Sequence, residues 1–391
     1  MILWRRSGSL VRIMSTAVAI RREHAHRVLL VDQGWNQTLS LASALENAGF
    51  AVTVLTADGG HTSYRRRSVQ WSSAPAIASA QFLSNLDRMM TSFDHVLPLT
   101  EAVMWRIADA RPTWADRIFP RIDDRQIELL RDKHVLVEYL AARGFAVPRH
   151  VRITPAIDLD AVVRDLGLPL VLKGATGSAG SRVRIVDSRR ALARAVQRAR
   201  ALGGSWIAQE YVPGPTFLVG GLFHAGEPLR LYAAEKLEQH PPRTGPAIRL
   251  RSDHHAALLD AGVRVFRELR WTGFASADLI RRADGRHLIL EVNPRLWGSI
   301  AGASAAGVDL FAPFADLLAG RVPVPDLAFA PDLDCRIFPR YLLSPRYRSA
   351  RGAVRAVVDL FGEQGRELRH PGFVRYLLGR LYRMRRRARP F

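Results

Sequence analysis

A run of aliphatic residues ends in an acid, an amide and Pro-Arg at Leu288-Ile289-Leu290-Glu291-Val292-Asn293-Pro294-Arg295. An aliphatic run of this kind is typical of a buried strand. Proline disfavours helix in the residue before it, so Asn293 should remain extended. Because side chains alternate along a strand, Glu291 and Asn293 should point to the same face. Together they offer the hard oxygen ligands that Mg²⁺ takes in proteins.

A second strand, Ser276-Ala277-Asp278-Leu279-Ile280, precedes this stretch, and Asp284-Gly285 between the two is a strong hairpin signal. A two-residue turn centred there places Asp278 opposite Glu291, with Cβ atoms about 5 Å apart. Two carboxylates in that relation repel each other unless a cation lies between them. We therefore interpret Asp278, Glu291 and Asn293 as a metal cradle. A satisfied edge-strand acid is the alternative, and a three-residue turn would break the pairing.

The sequence continues with Leu296-Trp297-Gly298-Ser299-Ile300 and, further on, Ala306-Gly307-Val308-Asp309. The whole pattern resembles the metal-binding end of the ATP-grasp superfamily, in its carbamoyl-phosphate-synthase-like, carboxylate–amine ligase branch. The resemblance covers roughly residues 27 to 325. It implies an α/β protein with an ATP-grasp fold behind an N-terminal Rossmann-like (pre-ATP-grasp) open parallel sheet. It also implies ATP and Mg²⁺ as cofactors, with Mn²⁺ as an alternative ion.

Composition narrows the class of protein. At 391 residues the chain is long enough for two or three domains with real cores. No apolar run reaches the length of a membrane span. The single cysteine, Cys335, excludes an internal disulfide framework and a Cys-rich metal site, and fits the cytoplasmic location that we expect. The net charge of +21 leaves open a solvated basic surface or an affinity for nucleic acid or anionic lipid.

The kind of basic residue is informative. Of the 57 basic residues only Lys133, Lys173 and Lys236 are lysines. Arginine is the default cation of this chain, so a position that keeps lysine indicates a need for a compact ammonium group. All three fall where the ATP-grasp pattern has a cation. The resemblance implies that Lys133, behind the helix-capping Asp132, reaches the nucleotide phosphates.

The N-terminal part divides into two segments. Residues 1–26 contain no acid before Glu23 and predict a disordered basic leader; a transit-peptide-like segment or a start at Met14 are alternatives. Residues 27–120 alternate strands and helices, which predicts the pre-ATP-grasp α/β domain. Loops at the carboxyl ends of such strands form ligand crevices. Asn36 and Glu101 are therefore substrate-side candidates, with ordinary turn residues as the alternative.

Residues 121–325 form the predicted ATP-grasp domain, with a lid subdomain at about 145–211. Lys173 ends a strand and is followed by Gly174-Ala175-Thr176-Gly177-Ser178-Ala179-Gly180-Ser181. Glycines and small hydroxyls let backbone N–H groups approach phosphate oxygens, so Gly177 and Ser178 are candidate phosphate contacts. The resemblance implies that the hinge that follows recognises adenine. The candidate nucleotide-binding residues there are Gln209, Glu210, Tyr211, Val212 and Thr216. Thr216 stands where the family often has an acid for the ribose, a departure that bears on nucleotide preference.

The segment behind Lys236 adds substrate candidates. A loop rich in Pro and Gly, residues 240–246, predicts a flap beside the metal cradle. Arg249 and Arg251 are candidates for an anionic substrate, with surface charge as the alternative. We interpret His254 and His255 as structural or solvated. Among all the cations, Lys236 and Arg295 are the catalytic candidates, and a structural ion pair is the alternative for Arg295.

Residues 326–391 form a predicted basic C-terminal extension. Its helical tail has an apolar face and an arginine face from Gly372 to Arg383. Such a helix lies on an anionic membrane, here at the inner face, or docks on the protein core; both alternatives stay open.

These parts predict an ATP-dependent ligase with small-molecule carboxylate and amine partners. Phosphoryl transfer needs positioning and positive charge where negative charge builds up, which the lysines and Arg295 supply. The amide-forming half comes from the resemblance alone. One alternative is phosphotransfer or carbamoyl-phosphate-like activation without an amine. Another is a non-catalytic nucleotide-binding scaffold at a membrane. We do not expect nucleic acid as a partner, and a homodimer remains open.

Overall fold

A computed structural model describes residues 26–32, 38–56, 70–73, 75–176, 182–347, 351–352 and 354. Residues 1–25 of the expected leader, Asn36, Gly177, Ser178 and the basic C-terminal tail lie outside these ranges. The predictions that concern them therefore stay predictions.

The N-terminal part is a four-stranded parallel sheet in the order β3-β2-β1-β4. Its elements are β1 (Arg27–Asp32), α1 (Thr38–Asn47), β2 (Ala51–Thr56), β3 (Gln70–Ser73), α2 (Ala80–Met90), β4 (His95–Pro98) and α3 (Glu101–Ala110). Each face of the sheet buries its own apolar cluster, with Leu30 in one and Leu29 in the other. Burial on both faces is why these strands read as continuous aliphatic runs. The strand order reverses between β1 and β4, which is where ligands enter such sheets.

Two short helices connect this sheet to the rest of the chain: α4 (Asp124–Arg131) and α5 (Lys133–Ala142). Asp123 and Gln126 form a reciprocal capping box at the start of α4. The Asp132 side chain accepts from the backbone N–H of His134 and so caps α5. Lys133 is thereby fixed as the first residue of α5.

The middle part is an antiparallel four-stranded sheet in the order β5-β8-β6-β7. Its elements are β5 (His150–Ile153), α6 (Leu159–Leu166), β6 (Leu170–Gly174), β7 (Val183–Val186), α7 (Arg189–Leu202) and β8 (Trp206–Glu210). The apolar faces of α6 and α7 pack with this sheet around Leu172 and Leu192. Lys173 lies at the end of β6, directly before the glycine-rich segment.

The largest sheet has six strands in the order β13-β12-β9-β10-β11-β14, and every pairing is antiparallel. Its elements are β9 (Thr216–His224), β10 (Glu227–Gln239), β11 (Ala247–Ser252), α8 (Ala256–Glu268), β12 (Gly273–Arg281), β13 (His287–Asn293), α9 (Ala301–Ala305), α10 (Phe311–Leu318) and β14 (Asp334–Arg336). Helix α8 packs closely on one face, where Gly262 faces Val219. Strand β14 extends the sheet beyond residue 325, the expected end of the ATP-grasp domain.

The predicted α/β class and the parallel N-terminal sheet are confirmed. Within the described residues, no helix combines the length and the apolar character that crossing a membrane requires.

Candidate active site

The β12–β13 hairpin carries the proposed metal ligands. Asp278 is paired with Glu291, and Ser276 with Asn293, so all four lie on one face of the sheet. Nearer the turn the register is shifted by one residue, and Leu279 pairs with Ile289. The predicted two-residue turn is therefore wrong, because the backbone N–H of Arg282 donates to the carbonyl of Arg286 across a three-residue loop.

A β-bulge restores the pairing that this longer turn would have broken. Leu290 is the extra residue between the two registers. Its carbonyl accepts a hydrogen bond from Lys173 Nζ at 3.0 Å. The bulge therefore does two things: it keeps Asp278 and Glu291 opposite each other, and it attaches β6 to β13.

All three lysines of the chain meet at this hairpin. Lys133 Nζ lies 3.1 Å from Glu291 Oε1, and Lys236 Nζ lies 2.6 Å from Asp278 Oδ2. Lys173 Nζ donates to the backbone carbonyl of Leu290, the residue before Glu291. The three lysines come from α5, β10 and β6, which are distant in sequence. The structure thus gathers a compact set of ammonium groups around a pair of carboxylates.

The electrostatics of this cluster follow from burial and charge. Burial, with help from the Lys133 ammonium, lowers the pKa of Lys173 from 10.5 to about 8. Burial raises the pKa of the Glu291 carboxyl, but Lys133 and Lys173 outweigh it and hold that pKa below its ordinary value. Glu291 is therefore an anion at neutral pH.

Arg295 connects the hairpin to the N-terminal sheet. Its Nε lies 2.9 Å from Glu101 Oε1, and its Nη2 donates to Asn293 Oδ1 at 3.0 Å. The Arg295 side chain is only 8% exposed. Glu101 is the first residue of α3, three positions after the end of β4 and next to the β1–β4 strand reversal. This places Arg295 between the metal cradle and the predicted substrate crevice.

The residues of the cradle fit a hard divalent cation. Two carboxylates and an amide oxygen converge from facing strands, and both acids keep about a quarter of their side-chain surface exposed. Asn293 Oδ1 has a second lone pair beyond the one that Arg295 uses. The buried Ser276 Oγ beside it has no hydrogen-bond partner in the described part of the chain. Ser276 is not among the predicted ligands, although the alternation of side chains from Asp278 places it on this face.

In the predicted adenine hinge, the Glu210 side chain already forms ion pairs with two arginines. The buried carboxylate of Glu210 accepts from Arg149 Nε at 2.7 Å and from Arg282 Nη2 at 3.2 Å. These arginines are 61 and 72 residues away, so no local pattern could have identified them. Gln209 Nε2 is buried without a partner among the described residues. Nucleotide recognition by the backbone, as the resemblance implies, leaves the Glu210 pairs intact.

Other predicted residues lie at varying distances from the cradle. Thr216 Oγ1 hydrogen-bonds Gln239 Oε1 at 3.2 Å, on the neighbouring strand. The remaining candidates have local partners: Arg249 pairs with Asp334, Arg251 with Glu235, His254 packs on the Phe329 ring, and His255 precedes α8. These contacts match the surface and structural alternatives better than substrate binding. Within residues 240–246, the backbone N–H of Gly245 donates to Pro241, and the flap role stays a prediction.

Comparison with known proteins agrees with this geometry. Residues 130–299 match the family model of the ATP-grasp domain. The D-alanine–D-alanine ligase of Cupriavidus taiwanensis is 29% identical over 181 residues, which are 42% of this chain and 54% of that protein. Pyruvate carboxylase of Schizosaccharomyces pombe is 24% identical over 177 residues, 40% of this chain and 15% of that protein. The chain thus spans about half or less of these relatives.

Solved structures show the same fold over more of the chain. The ADP complex of an N5-carboxyaminoimidazole ribonucleotide synthetase superposes with a TM-score of 0.67 at 15% identity, covering 86% of both chains. The L-amino acid ligase of Bacillus licheniformis gives 0.57 at 18% identity, covering 75% and 74%. The biotin carboxylase domain dimer of Hydrogenobacter thermophilus 2-oxoglutarate carboxylase, with MgADP and bicarbonate, gives 0.60 at 16%, covering 78% and 72%.

Proposed function

We propose that this chain, whose residues 130–299 match the ATP-grasp domain, is an ATP-dependent ligase that activates a carboxylate as an acyl phosphate and joins it to an amine. The observation that carries the proposal is the pairing of Asp278 with Glu291, with Lys133, Lys173 and Lys236 all in contact with the same hairpin. The cluster supports chemistry on a polyphosphate.

Asp278, Glu291 and Asn293 would hold Mg²⁺, and Mn²⁺ suits the same oxygen ligands. When bound, the ion supplies Lewis-acid polarisation and charge neutralisation at phosphate oxygens. Two lysines of the chain compensate the negative charge of this site. Lys133 neutralises Glu291 and Lys236 neutralises Asp278, so the two acids tolerate their proximity.

The lysines also provide positive charge for a nucleotide. An anionic substrate carboxylate that attacks a phosphoryl group brings negative charges together, and fixed cations lower that barrier. The buried Lys173 side chain donates to the Leu290 carbonyl, and this hydrogen bond already orients its ammonium group. Lys133 and Lys236 lie beside it on the two carboxylates and can exchange those partners for phosphate oxygens. These cations act by position and charge.

Arg295 would orient the carboxylate or its acyl phosphate. Its guanidinium is fixed by Glu101 and Asn293, and a planar cation with fixed donors suits a carboxylate or phosphate. Glu101 follows β4 at the strand reversal, so the carboxylate and amine would enter through that crevice. The amine nitrogen would then attack the acyl carbon and displace inorganic phosphate, so that a C–N bond replaces the C–O bond and the nitrogen gives up a proton.

A second candidate function is activation without an amine, with bicarbonate as the carboxylate. It is favoured by the fold shared with a biotin carboxylase domain whose structure contains bicarbonate. Cytoplasmic location, contact of the tail with a membrane, and homodimerisation stay proposals. One of the similar structures is itself described as a dimer.

The test measures ADP and phosphate release over a panel of carboxylates, including bicarbonate, each with and without a panel of amines. Hydroxylamine replaces the amine in one arm, because an acyl phosphate converts it to a hydroxamate. Glu291→Gln and Asp278→Asn should each lower turnover at least about 100-fold, since a bound metal contributes several kcal/mol to the transition state. Glu227→Gln, at an exposed pair on β10, is the matched control. Normal substrate-dependent ADP release by Glu291→Gln would defeat the assignment.

A further inference from the structure

A second group of potential metal ligands lies outside the proposed active site. His134 and Glu138 are one turn apart on α5, with His134 Nε2 3.2 Å from Glu138 Oε1. His150, the first residue of β5, packs its ring against His134 with centroids 5.5 Å apart and planes at 77°. One ligand atom from each of the three residues lies within 4.8 Å of the other two. Among the described residues, this is the group in which three side chains of the His, Cys, Asp and Glu types come this close, whereas the magnesium cradle has two acids and an amide.

We propose that His134, Glu138 and His150 bind a zinc ion that clips α5 to β5. Two imidazoles and one carboxylate are ligands that zinc accepts, whereas Mg²⁺ prefers oxygen alone. Ligand atoms around a tetrahedral zinc are about 3.4 Å apart, given bond lengths near 2.1 Å. The His134–Glu138 pair is already at that separation. The exposed Glu138 and half-buried His150 need only small side-chain rotations to complete the set.

The hydrogen bond of His150 supports ligation. His150 Nδ1 lies 3.1 Å from the Pro148 carbonyl, which can only accept, so Nδ1 carries the proton and Nε2 keeps its lone pair. His134 is buried beside Glu138, and its Nδ1 has no hydrogen-bond partner among the described residues. Arg152 is the nearby cation that opposes an ion here, and it lies 3.5 Å from Asp132, which offsets part of its charge.

An ion could reach this group from solvent, and its binding would connect α5 with β5. His150 and Ala141 line an open pocket of about 460 Å³, so His150 is reached from solvent. Helix α5 begins at Lys133, whose ammonium reaches Glu291, and β5 is the first strand of the sheet that carries Lys173. A clip between α5 and β5 would therefore hold two of the three lysines in a fixed relation. Zinc binding at this position would be independent of the proposed reaction.

The test uses the untagged, full-length chain, stripped of metal by chelator and loaded with Zn²⁺ alone. After gel filtration we expect one equivalent of zinc by mass spectrometry, a raised melting temperature, and, with Co²⁺ instead, visible absorption typical of a tetrahedral site. Glu138→Gln, at an exposed position, and His150→Asn should each weaken zinc binding at least about 10-fold. The control His255→Asn changes an exposed histidine outside the cluster and should bind as the parent does.

Glu291→Gln separates this site from the magnesium cradle, because its zinc content should equal that of the parent. Far-UV circular dichroism confirms that Glu138→Gln is folded. The proposal is overturned if the parent retains no zinc, or if Glu138→Gln and His150→Asn both bind it with the parent's affinity. Loss of zinc in Glu291→Gln with retention in Glu138→Gln would overturn it as well.

Discussion

The buried ammonium of Lys173 should make the stability of this protein depend on pH in a defined way. Lys173 is 6% exposed, and its pKa falls from 10.5 to about 8 because of burial and the nearby Lys133 ammonium. The folded state therefore releases this proton more easily than the unfolded state. Stability is reduced below about pH 8 and recovers as the pH rises towards 10.5. Since one pKa unit corresponds to 1.36 kcal/mol, the charge costs folding about 3 kcal/mol at pH 7.

Lys173→Met removes the titrating group and keeps a side chain of similar length. The variant also loses the hydrogen bond to the Leu290 carbonyl, which costs about 1–3 kcal/mol and depends little on pH. The difference between variant and parent should therefore shift by about 2–3 kcal/mol in favour of the parent between pH 7 and pH 10. Urea unfolding at several pH values, followed by tryptophan fluorescence, measures it.

Leu172→Met is the matched control, because it changes the fully buried residue before Lys173 and adds no titrating group. Its difference from the parent should stay constant with pH. Parallel curves for Lys173→Met and the parent, within about 0.5 kcal/mol from pH 7 to 10, would refute the reasoning. Lys173 would then have the same pKa in the folded and unfolded states.

Three further predictions address other parts of the molecule. Glu101→Gln should lower kcat/KM for the carboxylate substrate at least about 10-fold while the KM for ATP changes little, because Arg295 loses the group that orients it; an unchanged kcat/KM would argue against that role. Gly262→Ala should cost about 1–3 kcal/mol in urea unfolding, because its Cβ would lie 2.5 Å from Val219 side-chain atoms; an unchanged midpoint would contradict this packing. If the tail lies on an anionic membrane, deletion of residues 365–391 reduces sedimentation with anionic liposomes; equal sedimentation would exclude the tail as an anchor and leave docking on the protein core.

Much of the fold could be predicted from local pattern. The aliphatic runs from Arg27 to Asp32 and from Ala51 to Thr56 are strands with a helix between them, in line with the alternation of strands and helices predicted for residues 27–120. Asp278 faces Glu291, also as expected, but for a different reason. The turn has one residue more than its Asp-Gly signal suggests, and the bulge at Leu290 compensates. A bulge depends on what packs against it, and here that is Lys173, far away in sequence.

The sequence by itself determined which residue types were available: a scarcity of lysines, and an acid and an amide on one face of a strand. Such features depend on backbone periodicity and on neighbours a few residues apart, so they can be read along the chain. Only the tertiary structure decided the partners. Arg295 meets Glu101 across 194 residues, and Glu210 is held between Arg149 and Arg282. The packing of three sheets sets those distances, and an ion pair forms only where packing brings both charges within a few ångströms.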